Sequence, residues 1–164
     1  MRRKDREITG RENIEPILQA CKTCRVAMIA DGAPYVVPLN FGYTWDDDGL
    51  TLYFHSGLKG KKIDALRADP RVCFELDTEQ GVTGEGDIAC RYSFAFSSIV
   101  GYGSMEFAKT PDEKRKGFDI IMQHQTGRSG FTYNDASLSV AEVFHVCADS
   151  FEASRKALRP RKPE

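Results

Sequence analysis

The chain has 164 residues, 41% hydrophobic and 29% charged, with a formal net charge of −1. That length suffices for one domain with a real core, and the near-neutral charge removes any global case for nucleic-acid binding. No apolar run approaches the ~20 residues of a membrane-spanning helix, and no hydrophobic signal region follows the basic start, so a cytoplasmic protein without a membrane partner is expected.

In chain order, residues 11–21 predict a short helix, because Ile14, Ile17, Leu18 and Cys21 recur at i, i+3, i+4 and i+7. Thr9 and Glu12 have capping-box spacing, whereas Pro16 inside the helix favours a start nearer Asn13. A strand-rich block follows. Arg25–Ala30 and Pro34–Thr44 flank Asp31-Gly32, a strong hairpin signal. In the second strand Tyr35, Val37, Leu39, Phe41 and Tyr43 share one face. Leu50–His55 is a third strand, with Leu50, Leu52 and Phe54 on one face and Thr51, Tyr53 and His55 on the other.

Ser56 is a plausible N-cap for the next helix, which Asp69-Pro70 stops. Arg71–Asp77 reads as a strand and Thr78–Asp87, polar and glycine-rich, as a loop. Tyr92–Ala108 is a long strand in which Gly101 and Gly103 mark a bulge or close approach. Thr110-Pro111-Asp112-Glu113 carries the cap, the N1 proline and the acidic first turn of a helix running to about His124. Gly127–Ser137 reads as an irregular loop and Val140–Ala148 as the last strand. The order predicts a mainly β fold with α: six antiparallel strands, closed into a small barrel that hides their edges, with flanking helices. One domain is expected over residues 1–150, followed by a basic, proline-ended tail, 151–164, that is partly disordered.

The five cysteines are an odd number in scattered apolar contexts, which reads as buried thiols. Cys21 and Cys24 have the spacing of a redox or metal pair, but no second pair completes a zinc site. They also fall at a helix end, where the dipole disfavours a thiolate. His55, His124 and His145 lie far apart with no carboxylate at ligand spacing, so no metal is assigned.

The segment from Tyr53 to Ile63 is the most informative. It leaves an apolar strand, enters a helix, and places His55, Ser56, Gly57, Gly60, Lys59, Lys61 and Lys62 between them. Helix-start amides, glycine backbone and ammonium groups suit a phosphate. The glycine spacing is not that of a Walker loop. Pro34-Tyr-Val-Val-Pro-Leu-Asn-Phe-Gly-Tyr43, Tyr53-Phe-His-Ser56 with Gly60-Lys-Lys62, Pro70-Arg-Val-Cys-Phe-Glu75 and Ser97-Ser-Ile-Val-Gly-Tyr-Gly103 then come in order. In combination this pattern resembles the FMN-binding split-barrel superfamily of pyridoxamine-phosphate oxidase, most of all its Nim-type branch associated with 5-nitroimidazole resistance.

The resemblance implies a homodimer with FMN at the subunit interface. It implies that Val37, Pro38, Leu39 and Asn40 run along the isoalloxazine through backbone groups, and that the Tyr53–Ser56 segment, with His55 and Ser56, flanks the ring. Gly60, Lys61 and Lys62 would lie at the phosphate, and Ser97 and Ser98 would approach the same flavin. It implies an oxidoreductase that reduces a small planar acceptor, with His55 a candidate proton donor. The basic set with which the oxidase holds its vitamin substrate has no counterpart that can be placed, so a strict pyridoxamine-phosphate oxidase is not expected. Two alternatives stay open: a flavin store or sensor without turnover, and a split barrel carrying haem or a deazaflavin.

Overall fold

The computed structural model describes residues 3–157. The elements are β1 (Glu7–Ile8), α1 (Arg11–Ala20), β2 (Thr23–Ala30), β3 (Ala33–Asp46), β4 (Gly49–Gly57), α2 (Lys61–Ala68), β5 (Arg71–Thr83), β6 (Ser93–Phe107), α3 (Pro111–Thr126), α4 (Asp135–Ser139) and β7 (Ala141–Lys156). The strand order is β1-β7-β4-β3-β2-β5-β6, and β6 also pairs with β7. The ladders of β2 with β3 and β5, of β3 with β4, and of β4 with β7 are antiparallel. This is the mainly β, antiparallel split barrel that was expected, with two-residue β1 added to the six long strands.

The chain divides into two compact units. One gathers the described residues up to Cys21, Leu76–Val100 and those from Glu152 onward; the other holds Lys22–Glu75 and Gly101–Phe151. In the first, β1 pairs with the end of β7 through Glu7↔Ser154 and Ile8↔Ala153. Its core includes Ile14, Leu18, Leu76 and Ile99. In the second, Phe41, Leu52, Phe54, Phe74 and Phe144 are fully buried, each worth about 1.5–3 kcal/mol.

Several boundaries differ from expectation, each for a physical reason. At α1 the capping box does not form: Gly10, at φ 84°, is the N-cap, and Asn13 Nδ2 donates to Thr9 O and Glu12 Oε1. Pro16 is tolerated inside α1 on its exposed face, where water can satisfy the carbonyl it leaves unbonded. Strand β5 runs through Thr83 instead of ending at Asp77, because polar contacts between strands replace hydrophobic ones there: Gln80 Nε2 donates to Ser97 Oγ at 3.1 Å and Thr83 Oγ1 to Ser93 O at 3.2 Å. Strand β7 likewise continues to Lys156, so residues 151–156 of the expected tail are strand, and 158–164 lie outside the described residues. Part of the expected 127–137 loop is helix α4, capped by Asn134. The capping box of α3 is present as read, with Pro111 at its start and Gly127 at φ 71° closing it. All five cysteines are thiols; Cys21 and Cys24 are buried as expected, whereas Cys73 is half-buried and Cys90 and Cys147 are exposed.

Candidate functional site

The β3–β4 ladder runs from Asp46↔Gly49 to Phe41↔Phe54 and stops there. Beyond that pair β3 stays with β2, from Asn40↔Thr23 to Ala33↔Ala30. Strand β4 stays with β7, through His55↔Val143, Ser56↔Glu142 and Gly57↔Ala141. The two strands therefore fork, and Asn40 and His55 are the first residues on either side. Each arm turns an edge of backbone N–H and C=O groups toward the fork, and among the described residues no strand pairs with it there. Residues 37–40 and 55–57, far apart in sequence, are brought to opposite arms of one feature.

Helix α2 begins beside the fork. Its N-cap is Gly60, not Ser56, because pairing with Glu142 holds Ser56 inside β4. Gly60 has φ 128° and ψ 165°, a region essentially restricted to glycine. No side chain caps this helix start, and a Cβ at Gly60 would meet nothing within 4 Å. The two lysines separate cleanly. Lys61 Nζ lies 3.0 Å from Asp31 Oδ2 and 5.3 Å from the Tyr35 ring centre, so it ties α2 to the β2–β3 turn. Lys62 is half-buried and acts electrostatically on His55.

His55 is exposed as a residue, but its imidazole lies 5.4 Å from the Phe118 ring of α3. Desolvation first, and the Lys62 ammonium second, hold its pKa below the ordinary 6.5. The ring is therefore neutral at pH 7, and once protonated it is a stronger acid than a free histidine. On the same face Tyr53 stacks on His145 at 5.5 Å.

The remaining candidates divide. Val37 is half-buried and Pro38 exposed on the β3 arm, while Leu39 is buried. The Phe54 ring points into the core against Phe144, so that side chain is unavailable to a ligand. The Asn40 carboxamide is engaged: its Nδ2 donates to Lys22 O at 3.0 Å and to Gln125 Oε1 at 3.4 Å. Ser97 and Ser98 belong to the other compact unit. There Ser97, only 2% exposed, accepts from Gln80 and from Arg155 Nε, and Ser98 Oγ meets Ser154 Oγ at 3.0 Å.

A fork of open backbone edges, a neutral imidazole and an uncapped, lysine-bearing helix start suit a flat ring with polar edges and a phosphate. The model of the pyridoxamine 5'-phosphate oxidase family matches residues 10–155. The chain belongs to that family. Over 90% of its length it is 34% identical to a candidate 5-nitroimidazole antibiotic resistance protein from Bacteroides thetaiotaomicron, covering 84% of that chain with a TM-score of 0.77. It overlays the flavocytochrome Anf3 from Azotobacter vinelandii with a TM-score of 0.80, covering 100% of this chain and 75% of that one, at 17% identity, a likeness of fold alone. An uncharacterized protein of Rhizobium meliloti is 30% identical over 69 residues, spanning 42% of either chain.

In this member of the oxidase family, α3 closes one side of the fork through Phe118 and Gln125, which sequence reasoning did not single out. Gln125 Nε2 donates to Phe41 O at 2.8 Å and Lys22 O at 3.0 Å, just where the ladder ends. Phe118 supplies the wall behind His55. The signal was present: Phe118, Ile121, Met122 and Gln125 recur at i, i+3, i+4 and i+7, a stripe that ends on a polar residue.

Proposed function

We propose that the protein is an FMN-dependent oxidoreductase that reduces a small planar acceptor of the nitroaromatic class. The observation that carries this reading is the β3–β4 fork, with Asn40 and His55 at its mouth and the Gly60–Lys62 helix start beside it. The backbone edge of Val37–Asn40 would hydrogen-bond the polar rim of the ring, and Gly60 and Lys62 would hold the phosphate. FMN, when bound, supplies the electrons. Converting a nitro group to a nitroso group takes two electrons and two protons and releases water; a protonated His55 would hand over one of those protons.

Of the cations on α2, Lys61 is paired with Asp31 and Arg67 with Glu142, which leaves Lys62 for one phosphate. A phosphorylated vitamin would bring a second phosphate, which argues against pyridoxamine phosphate as substrate. A homodimer is part of the proposal. The outward face of the β2–β3 hairpin exposes Ile29, Val36 and Pro38 together, an apolar patch that a second copy would cover.

The test is the visible absorption of the purified protein before and after incubation with FMN and desalting. It is followed by dithionite reduction and addition of a nitroimidazole. Retained flavin bands, bleached by the reductant and restored by the acceptor, support the reading. A protein that cannot be loaded overturns the cofactor; a loaded protein whose reduced flavin ignores the acceptor overturns the substrate class.

A further inference from the structure

We propose that Phe118 is a positioning residue for His55, held in place by Tyr133 behind it and by the glycine at position 117. This rests on the reading of His55 as the acid at the fork, and it adds residues on α3 and the following loop that set what this acid does.

Three rings form a row. His55 and Phe118 are 5.4 Å apart and tilted by 45°; Phe118 and Tyr133 are 5.6 Å apart and stacked within 25°. The spacing of the row is set by Gly117. A Cβ there would lie 2.4 Å from Val143 Cγ1, and Val143 is the register partner of His55. Only glycine lets α3 approach β7 and β4 closely enough for the next residue, Phe118, to reach the imidazole. At the far end the Tyr133 hydroxyl is out of water beside the Asp119 carboxylate of α3. Burial first, and then hydrogen bonding to the Asp119 carboxylate, raise its pKa to about 12, so it stays an uncharged part of the wall.

Burial, to which the Phe118 ring contributes one side, is the first influence on the imidazole. Lys62 on α2 acts on the imidazole, in second place behind desolvation. Glu142 on β7 is one register position along, on the opposite face, and is bound to Arg67 at 2.7 Å. Asp119 on α3 lies at the Tyr133 end of the row. A flat wall on one side of the imidazole restricts its rotamers and disfavours its charged form.

The test is an NMR titration of the three histidines in the full chain without added flavin, with the His55 signal assigned from His55→Gln. In wild type less than half of His55 carries a proton at pH 6.5. In Phe118→Leu that fraction rises toward one half, and in Phe118→Tyr, which keeps the flat ring, it stays at the wild-type level. A folded Phe118→Leu with an unchanged His55 titration overturns the proposal, as does Phe118→Tyr behaving like Phe118→Leu. If Phe118→Leu does not fold, Tyr133→Leu removes only the outer ring: a raised protonated fraction of His55 supports the proposal and an unchanged one overturns it. The functional reading is separated by turnover. If the NMR midpoint moves and the pH profile of nitro reduction moves with it, both stand; if only the NMR midpoint moves, the positioning stands and the role of His55 in turnover falls.

Discussion

Gly42→Ala tests how α3 is seated. Gly42 lies on β3, next to the pair where the ladder ends, and a Cβ there would stand 2.4 Å from Ile120 O and 2.6 Å from Ile120 C and Ile121 Cα. These atoms are helix backbone, which cannot swing aside as a side-chain tip can, so α3 must move by about 1 Å to restore ordinary contact. Such a move strains the buried Ile121 and stretches the 2.8 Å bond from Gln125 to Phe41 O beyond hydrogen-bonding length. Overpacking costs about 1–3 kcal/mol and the lost bond about 1 kcal/mol. Alanine in a strand recovers roughly 0.5–1 kcal/mol of the entropy that glycine loses. The net is about 2 kcal/mol, or roughly 4–8 °C in Tm for a chain of this size. Circular dichroism melting measures it, with Gly57→Ala, whose Cβ meets nothing within 4 Å, as the control expected to stay near wild type. A Gly42→Ala protein that melts with the control refutes the close seating of α3, and with it the wall behind His55.

The other predictions concern single groups. Thr110→Ala removes the hydroxyl that accepts from Glu113 N at 3.2 Å, and should cost about 1 kcal/mol by urea unfolding, whereas Thr110→Ser should not. Lys62→Ala should weaken FMN binding measured by fluorescence quenching, and Lys61→Ala should leave it largely intact because Lys61 is engaged with Asp31; the reverse order would reassign the phosphate. His55 has a folded pKa below 6.5, so the unfolded chain binds more protons in that range. Its contribution is full above pH 6.5 and is lost as pH falls through the folded value, so His55→Gln should flatten the stability-versus-pH curve below 6.5 and leave it unchanged at pH 8. If reduction draws a proton from this imidazole, wild-type turnover should rise as pH falls below 6.5, and that rise should be absent in His55→Gln.

Much of the fold was legible because it is written locally. Asp31 and Gly32, with φ of 54° and 75°, are the two left-handed residues that an Asp-Gly hairpin demands. Alternation along Leu50–Phe54 named the core face of β4, and three of its residues are at most 1% exposed. Gly101 was read as a bulge or a close approach; it is a close approach, since a Cβ there would lie 2.3 Å from Phe74 Cζ. What was misread lacks a local signature. Thr78–Thr83 is polar, so only its partners Ser93 and Ser97 make it a strand. Ser56 has the chemistry of an N-cap, but its backbone is claimed by β7, and a ladder that buries a side chain outweighs a capping bond of about 1 kcal/mol.

The site follows the same division. The β4 arm and the helix start beside it stood out because one strand–turn–helix segment carries His55, Gly60 and Lys62 close together in sequence. That β3 and β4 separate at Phe41 and Phe54 is a property of pairing, and each strand taken alone reads as continuous. The groups that tune the fork come from a helix more than sixty residues downstream of His55. On α3, Phe118 and Gln125 sit on a stripe that predicts only burial. A stripe of this kind does not say which face of which strand it will cover. Gly117 does carry that information once the structure is known, because a glycine in mid-helix costs about 1 kcal/mol relative to alanine and calls for a compensating contact. The contact it permits is the one that brings Phe118 to His55. A mid-helix glycine beside an aromatic residue, on a helix that follows a fork in a sheet, is thus the local trace of a long-range arrangement.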